Sequence, residues 1–427
     1  MEEILINTSK NQIRKLGKSL REESKTKNIS SDSLLNLQDF RVSYKNSLSN
    51  IFNILAEESK KVRKSRVVTY RIKRIESIIS KLNRFPNMEL GKMIDVAGCR
   101  CIVDSIQDIT NIKEALEKRL DVFDVKDYIT NKPSDDDGYS AMHLFVRCNE
   151  HLKKPIEIQI RTKDQHNWAT FVEIIDVIYD TKIKEGQKNP ELQRLCFLFS
   201  NIDKLDFAKS IEILNIEKNH NIYSKLSEIF GQNYILTRKK WLSIEVKKNH
   251  KFFIIEVDEE KKTHIESFSN FEIAEQHYLN KFNNDKTNIV LTHLETPSYK
   301  QISVAYSNYI LSMHKFQEDI CAIAKFVITG YLKKKDKVKA KEIQDLYQSY
   351  ANQEATSFNQ EIKESHSEIP NNDPNSKKLE EWIDDMSERM VKRTSILADG
   401  KSEIKISWEE ILLLSFKQFI KGVFKKN

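Results

Sequence analysis

Four short segments carry side chains of the kinds that phosphate chemistry requires. In the run YRIKRIESIISKL, Arg71, Lys73, Ser77 and Lys81 stand at R-x-K-x3-S-x3-K spacing. Read as one helix, the run puts Ser77 and Lys81 on a common face, with Arg71 and Lys73 one to two turns before them. Three cations and a hydroxyl aimed one way form a clamp for an anion bearing several phosphates. MIDVAGCRCIV follows, with Asp95 and Arg100. KDYITNKPSDDDGYSAMH places Tyr139 and His143 just after a turn at Gly138, where a tyrosine ring can stack on a nucleobase. IEIQIRTKDQHNWA supplies Glu157, Gln159, Arg161 and His166. On a strand, positions 157, 159 and 161 share one face. A carboxylate, an amide and a guanidinium side by side next to a core are a poor set for plain packing, because buried charges persist where they are paired or functional. Taken singly, the basic run also reads as a solvated face, Asp95 as a helix cap and Tyr139 as ordinary strand packing.

These residues need elements to hold them. Residues 1–60 read as helical, with apolar residues at helical spacing from Phe40 to Leu55, and 60–85 continue as a strongly basic helix. From Cys99 the period changes. CRCIV, VFDVKDYI, MHLFVRC and IEIQIRT read as short strands, separated by a helix-like segment (Ile106–Arg119), a turn-rich loop (Asn131–Gly138) and a short connection. His166–Ile183 and Pro190–Leu205 return to helix. Strands this close together cannot all be joined by parallel crossovers, so the last two form a hairpin and the sheet is mixed. The expected fold class is α/β, a mixed β-sheet flanked by helices over 60–215, preceded by an N-terminal helical region over 1–59. A smaller accessory α+β region over 216–297 is expected from WLSIEV, KFFIIEV, THIESF, a helix at Phe271–Phe282 and NIVLTHL. A helical C-terminal region over 298–427 follows, with a long helix from Ser298 to about Tyr331, a polar linker and an amphipathic helix at Trp408–Phe424.

Composition narrows the chemistry further. Average usage would place about 30 glycines in a chain of this length; there are 9 in 427 residues, and neither G-x-G-x-x-G nor G-x-x-x-x-G-K-[ST] occurs. Loops that cradle phosphates with backbone N–H groups are therefore excluded, and side chains must do that work. The net charge of +7 permits nucleotide or nucleic-acid binding without demanding it. Five scattered cysteines form no C-x-x-C pair, which disfavours zinc ribbons and fits a reducing cytoplasm. The N-terminus reads as no signal peptide, and no run of apolar residues is long enough to span a membrane.

In order, the motifs R-x-K-x3-S-x3-K, D-[IV]-x-G-x-R, D-Y-I-x(n)-G-Y-x-x-x-H and E-[IV]-Q-I-R-T run from about Lys60 to Leu205. The ordered set resembles the synthetase domain of the RelA/SpoT family of alarmone pyrophosphokinases. The resemblance implies a nucleotidyltransferase-like domain that moves the β,γ-pyrophosphate of ATP to a ribose 3′-hydroxyl, with Mg²⁺ as cofactor. It implies Asp95 and Glu157 as the catalytic metal ligands, Glu157 also activating the attacking hydroxyl. Arg71, Lys73, Ser77 and Lys81 would hold ATP, with Arg71 and Arg100 flanking the adenine. Tyr139 would stack on the acceptor base, with His143, Gln159 and Arg161 organising that side and Lys126 and Lys132 reaching acceptor phosphates. The acceptor implied first is GDP or GTP, giving (p)ppGpp-type alarmones.

Departures from the pattern keep other readings open. No His-Asp dipeptide occurs, so the family's HD hydrolase domain is missing. The loop Ser134–Asp137 is acidic where guanine-nucleotide synthetases carry a basic residue, which disfavours a phosphorylated acceptor. NWATFVEIIDVIYDTKIKEG resembles the short, single-function and often toxic branch, in parts of which the acceptor is the 3′ end of tRNA or an adenine nucleotide. The basic stretch Lys60–Arg74 is suited to an RNA backbone, and a non-catalytic nucleotide sensor is the reading of another class. Residues 216–427 are the expected seat of homo-oligomerisation or of a neutralising or sensing partner.

Overall fold

The structure is a computed structural model that describes residues 9–26, 28–132, 138–147, 154–179, 181, 183, 189–226, 241, 249–257, 263–282, 288–305 and 313–350. In chain order the helices and strands are α1 (Lys10–Lys25), α2 (Ser31–Val42), α3 (Lys45–Val62), β1 (Val67–Ile72), α4 (Ile75–Arg84), β2 (Ala97–Val103), α5 (Ile106–Glu117), β3 (Val122–Asp127), β4 (Met142–Arg147), β5 (Pro155–Thr162), α6 (Lys163–Ile178), α7 (Pro190–Ser200), α8 (Phe207–His220), β6 (Phe252–Val257), β7 (Thr263–Phe268), α9 (Phe271–Phe282), β8 (Asn288–Leu294), α10 (Tyr299–Ala305) and α11 (Met313–Lys333). Two compact units emerge, Met1–Ala169 with Val246–Tyr309, and Thr170–Glu245 with Ile310–Asn427.

The first unit is built on one eight-stranded sheet of order β3-β4-β5-β2-β1-β8-β6-β7. Among the described residues only β2 and β5 pair in parallel, and β4 lies antiparallel to β5, so the sheet is mixed as its short connections require. The expected strands at KFFIIEV, THIESF and NIVLTHL, with the helix at Phe271–Phe282, are present. They extend this same sheet, because β8 pairs with β1 through Thr69 and Thr292 and gives that strand a second neighbour. Of WLSIEV only Trp241 is described, and it is helical; the other five residues lie outside the described residues. Of the helix expected from Ser298 to Tyr331, Tyr299–Ala305 and the residues from Met313 on are helical, and residues 306–312 lie outside the described residues. The amphipathic segment Trp408–Phe424 also lies outside the described residues.

One expectation is corrected in a way that matters for the site. Residues 60–85 are not a single helix: Val67–Ile72 is a strand, and α4 begins only at Ile75. Val67, Val68 and Thr69 are β-branched, and three such residues in a row lose side-chain freedom in a helix but pack well on a pleated sheet. The arginines and lysines that follow concealed this change of period.

Alternation along the strands divides the sheet into two faces. Val68, Tyr70 and Ile72 on β1, Cys99 and Cys101 on β2, Leu144 and Val146 on β4, and Ile156, Ile158 and Ile160 on β5 join one core. Helices α3, α4, α5 and α9 bring Leu48, Phe52, Ile78, Ile109 and Tyr278 into the same core. Each large apolar side chain fully buried there contributes about 1.5–3 kcal/mol. The alternate positions carry Thr69, Arg71, Gly98, Arg100, His143, Glu157, Gln159 and Arg161, and the chemistry lies on that face.

The β1–β8 seam holds a buried charge cluster. The guanidinium of Arg66, with 0% of the residue exposed, donates to the Ala56 carbonyl (2.9 Å) and Ser59 Oγ (3.2 Å) and lies 3.3 Å from His293 Nδ1. Glu295 lies 3.0 Å from Lys60 Nζ and 2.6 Å from Lys251 Nζ. Burial pushes His293 down to about 4, helped by the charges of Arg66, Lys251 and Lys60 and opposed by Glu295. The folded chain therefore keeps this imidazole neutral while the unfolded chain takes up a proton below its ordinary pKa. Stability is expected to fall as pH drops from about 6.5 to 4, by up to about 3 kcal/mol. Urea unfolding across that range measures the loss. His293→Gln, which keeps an oxygen acceptor for Arg66, is expected to flatten it.

The second unit is helical in its described residues. Phe171 and Phe199 stack on Phe316 with ring centroids 4.8 and 5.1 Å away. Buried Glu217 accepts from Tyr347 Oη (2.7 Å) and from the Tyr223 N–H (3.2 Å), with burial pushing its carboxyl up. None of the expected site residues falls in this unit.

Candidate active site

Strand register sets the site out in rows. Arg71 pairs with Gly98, Gly98 with Glu157, and Glu157 with Phe145. In the next row Thr69 pairs with Arg100, Arg100 with Gln159, Gln159 with His143 and His143 with Lys126. A cation at one end of the first row and a carboxylate further along it are thus separated by a residue without a side chain. A Cβ at Gly98 would lie 2.6 Å from the Glu157 carbonyl oxygen, so β2 and β5 could no longer keep their spacing there. Gly98→Ala is expected to cost about 1–3 kcal/mol in urea unfolding, as overpacked cores do, and to reduce activity by displacing Glu157.

The carboxylate of Glu157 ends a continuous hydrogen-bonded chain. His143 Nδ1 lies 2.8 Å from Glu157 Oε1, and Tyr139 Oη lies 2.6 Å from His143 Nε2. Arg161 donates to Tyr139 Oη at 2.6 Å, with its guanidinium 5.1 Å from the centre of that ring. Gln159 Nε2 donates to the other Glu157 oxygen at 3.0 Å. One assignment fits the three contacts in sequence. The tyrosine hydroxyl accepts from Arg161 and donates to His143 Nε2, and the imidazole donates its Nδ1–H to Glu157. Burial alone would raise the Glu157 carboxyl, but the His143 contact and the Gln159 hydrogen bond outweigh it, and the carboxyl lies below its ordinary range. The charge of Asp95 pushes the other way. Burial raises the Tyr139 phenol against Arg161, so its hydroxyl keeps its proton.

On the donor side, Asp95 bridges two lysines. Lys73 Nζ lies 2.8 Å from one oxygen and Lys81 Nζ 2.8 Å from the other. These side chains are only 18–21% exposed. Burial raises the Asp95 carboxyl, but the two lysines more than offset this and hold it below its ordinary range. Burial lowers Lys73, partly countered by Asp95. Lys73 leaves the end of β1 with its N–H donated to the Val96 carbonyl (2.8 Å), while Lys81 stands on α4 with Ser77 one turn before it. The clamp read as one helical face is thus assembled from a strand, a joint and a helix. Arg71 projects from β1 as an exposed residue.

The remaining residues divide. Lys126 is exposed and sits 5.4 Å over the Phe145 ring. Lys132 donates to the Tyr139 carbonyl at 3.0 Å, which ties the start of the acidic loop to its far end; Ser134–Asp137 lie outside the described residues. His166 is 1% exposed, its Nε2 2.9 Å from the Val304 carbonyl, and it anchors the fold away from the Glu157 chain. Two aromatic neighbours were not singled out from the sequence. Tyr128 packs edge-on against both Tyr139 (5.4 Å) and His143 (5.2 Å), and Trp168 lies 6.3 Å from Tyr139. Tyr128 belongs to the quoted D-Y-I motif, so a signal for it was present; Trp168 gave none.

Residues 70–184 match the family profile described as the region found in RelA / SpoT proteins. The chain is 34% identical over 148 residues to GTP pyrophosphokinase YjbM of Bacillus subtilis, covering 32% of this chain and 68% of that protein. GTP pyrophosphokinase YwaC of the same organism is 33% identical over 140 residues, covering 29% of this chain and 65% of that one. A crystal structure of the Bacillus subtilis small alarmone synthetase 1, bound to its product pppGpp, aligns with a TM-score of 0.34 and 25% identity, over 44% of this chain and 97% of that one. The shared region holds the strand register, the lysine-bridged Asp95 and the chain ending on Glu157, and the protein belongs to the RelA/SpoT family of pyrophosphokinases.

Proposed function

We propose that the protein transfers the β,γ-pyrophosphate of ATP to the ribose 3′-hydroxyl of GDP or GTP. The observation that carries this reading is the shared face on which an ionised carboxylate, Glu157, ends a chain from Arg161, while Lys73, Lys81 and Arg71 stand across Gly98 and Asp95 from it. Cations on one side suit a triphosphate, and a carboxylate within a fixed hydrogen-bond chain suits a hydroxyl that must lose its proton. In phosphoryl-type transfers, charge spreads over phosphate oxygens, so positioning and electrostatics supply most of the rate. Two relatives, YjbM and YwaC, bear the name GTP pyrophosphokinase, which favours a guanine nucleotide as acceptor.

Asp95 and Glu157 suit Mg²⁺ in their chemistry. They are two hard carboxylates on one face, and Mg²⁺ completes its shell with water and substrate phosphates instead of an all-protein cage. When bound, Mg²⁺ would neutralise charge developing on the phosphate oxygens. Lys73 and Lys81 would orient the triphosphate, Glu157 would accept the 3′-hydroxyl proton, and His143, held by Tyr139, would fix the carboxylate in place.

The basic stretch gives little support to an extended RNA contact. Lys60 is paired with Glu295, Lys61 with Glu58, Arg63 with Asp108, and Arg66 is buried. Incubation of the purified protein with labelled ATP against GDP, GTP, ADP and tRNA tests the reading. Label on GDP or GTP is expected. Label on tRNA or ADP alone would replace the acceptor, and no label on any of them would overturn the enzyme reading.

A further inference from the structure

We infer that Tyr278 of α9, together with Arg41 of α2, positions the backbone that carries the ATP-holding residues Arg71 and Lys73. This rests on the proposed role of those two residues. The pairing of β8 with β1 runs from Val67 only to Tyr70, although β8 itself continues back to Asn288 along β6, so the last two residues of β1 have no ladder on that side. On the other side β1 stays paired with β2 through Ile72, and Lys73 continues that ladder to Val96. The N–H of Ile72 therefore lacks a strand partner on the β8 side, and a buried N–H without a partner is costly. Tyr278 Oη accepts it at 3.4 Å. Arg41 Nε donates to the carbonyl of Lys73 at 2.9 Å. Tyr278 of α9, Arg41 of α2 and Val96 just before β2 thus hold the three successive peptide units from Arg71 to Arg74.

These two side chains are well placed for such a task. Tyr278 is 0% and Arg41 1% exposed. The Tyr278 ring packs edge-on against Tyr70 at 5.2 Å. One turn earlier on α9, buried Glu275 accepts from Tyr70 Oη at 2.9 Å and is bonded by Ser49 Oγ, so α9 is fastened to β1 and α3 at more than one point. Tyr278 and Arg41 both lie outside the 70–184 family match. The helix following β7 thereby acts on donor geometry without reaching the substrate. A loose backbone at residues 72–73 would spread the positions of Arg71 and Lys73 and weaken the grip on a triphosphate, while the Glu157 side, three strands away from β8, would be unaffected.

The test is Tyr278→Phe, which removes the hydroxyl and keeps the ring. Its control is Thr292→Val, which deletes another seam hydrogen bond, from Thr292 Oγ1 to the Val68 carbonyl (2.9 Å). Calorimetric titration with ATP and Mg²⁺ is expected to show Kd raised about fivefold in Tyr278→Phe, the scale of one neutral hydrogen bond. ATP affinity in Thr292→Val and KM for the acceptor in Tyr278→Phe are expected to stay at wild-type values. ATP binding by the wild type with an unchanged Kd in Tyr278→Phe, or an equal rise in Thr292→Val, would overturn the positioning role alone. A wild type that binds no ATP would overturn the donor reading and this inference with it.

Discussion

Glu157→Gln is expected to lower pyrophosphate transfer by about 10³-fold or more while leaving the fold intact, because one carboxylate serves both as proton acceptor and as a hard anionic ligand. The substitution preserves shape. An oxygen remains within reach of His143 Nδ1–H, and Ile156 and Ile158 on either side keep their core contacts. Removing a charge that is only 14% exposed also removes its desolvation cost, so urea unfolding is expected to move by no more than about 1 kcal/mol. The charge cannot be replaced from nearby. Asp95 is engaged by two lysines, and Asp124, in register with Phe145, stands one strand further from Glu157. Transfer in the glutamine variant within about tenfold of wild type would show that positioning alone drives the reaction. Wild-type cellular behaviour of that variant, with ATP binding retained, would favour a sensor.

Much of this site was legible because strand period and chemistry coincide on β5. Isoleucines at 156, 158 and 160 alternate with Glu157, Gln159 and Arg161, so the pattern announced both a strand and an active face. The helices around it were equally plain where caps and apolar spacing agree, as in α5, which opens with a Ser105–Asp108 capping box. Legibility failed where charge interrupted the period. Residues 67–74 present V-V-T-Y and then R-I-K-R across the end of β1, and the cations that matter for function disguised the end of a strand as the start of a helix. The mutual arrangement of distant residues was not legible either. Nothing in local sequence says that Tyr278 reaches Ile72, that Lys81 and Lys73 converge on Asp95, or that β8 continues the sheet, since each depends on which strand edge is left open.

Asp95→Asn is expected to abolish transfer and, at the same time, to tighten binding of the triphosphate in the absence of metal. In the structure both oxygens of Asp95 are occupied by the lysines that would hold ATP. A triphosphate arriving without a cation must compete with this carboxylate for Lys73 and Lys81 and must also approach its negative charge. At an effective dielectric near 20 and a separation near 5 Å, removing one such charge is worth about 3 kcal/mol, so tripolyphosphate or ATP in EDTA is expected to bind about tenfold to a hundredfold more tightly to the asparagine variant. With Mg²⁺ present the order is expected to invert, because Asp95 would hold the cation and leave Lys73 and Lys81 to the phosphates in the wild type, while asparagine is a weaker ligand for it. Stability supplies an independent reading. Without Asp95 the two ammonium groups face each other with no anion between them, and the variant is expected to melt below the wild type. Metal-free tripolyphosphate is then expected to raise its Tm by more than it raises that of the wild type. Weaker metal-free binding in Asp95→Asn would mean that the carboxylate orients the lysines toward phosphate instead of withholding them. Tighter binding would identify Asp95 as the group that makes the clamp wait for metal and nucleotide together.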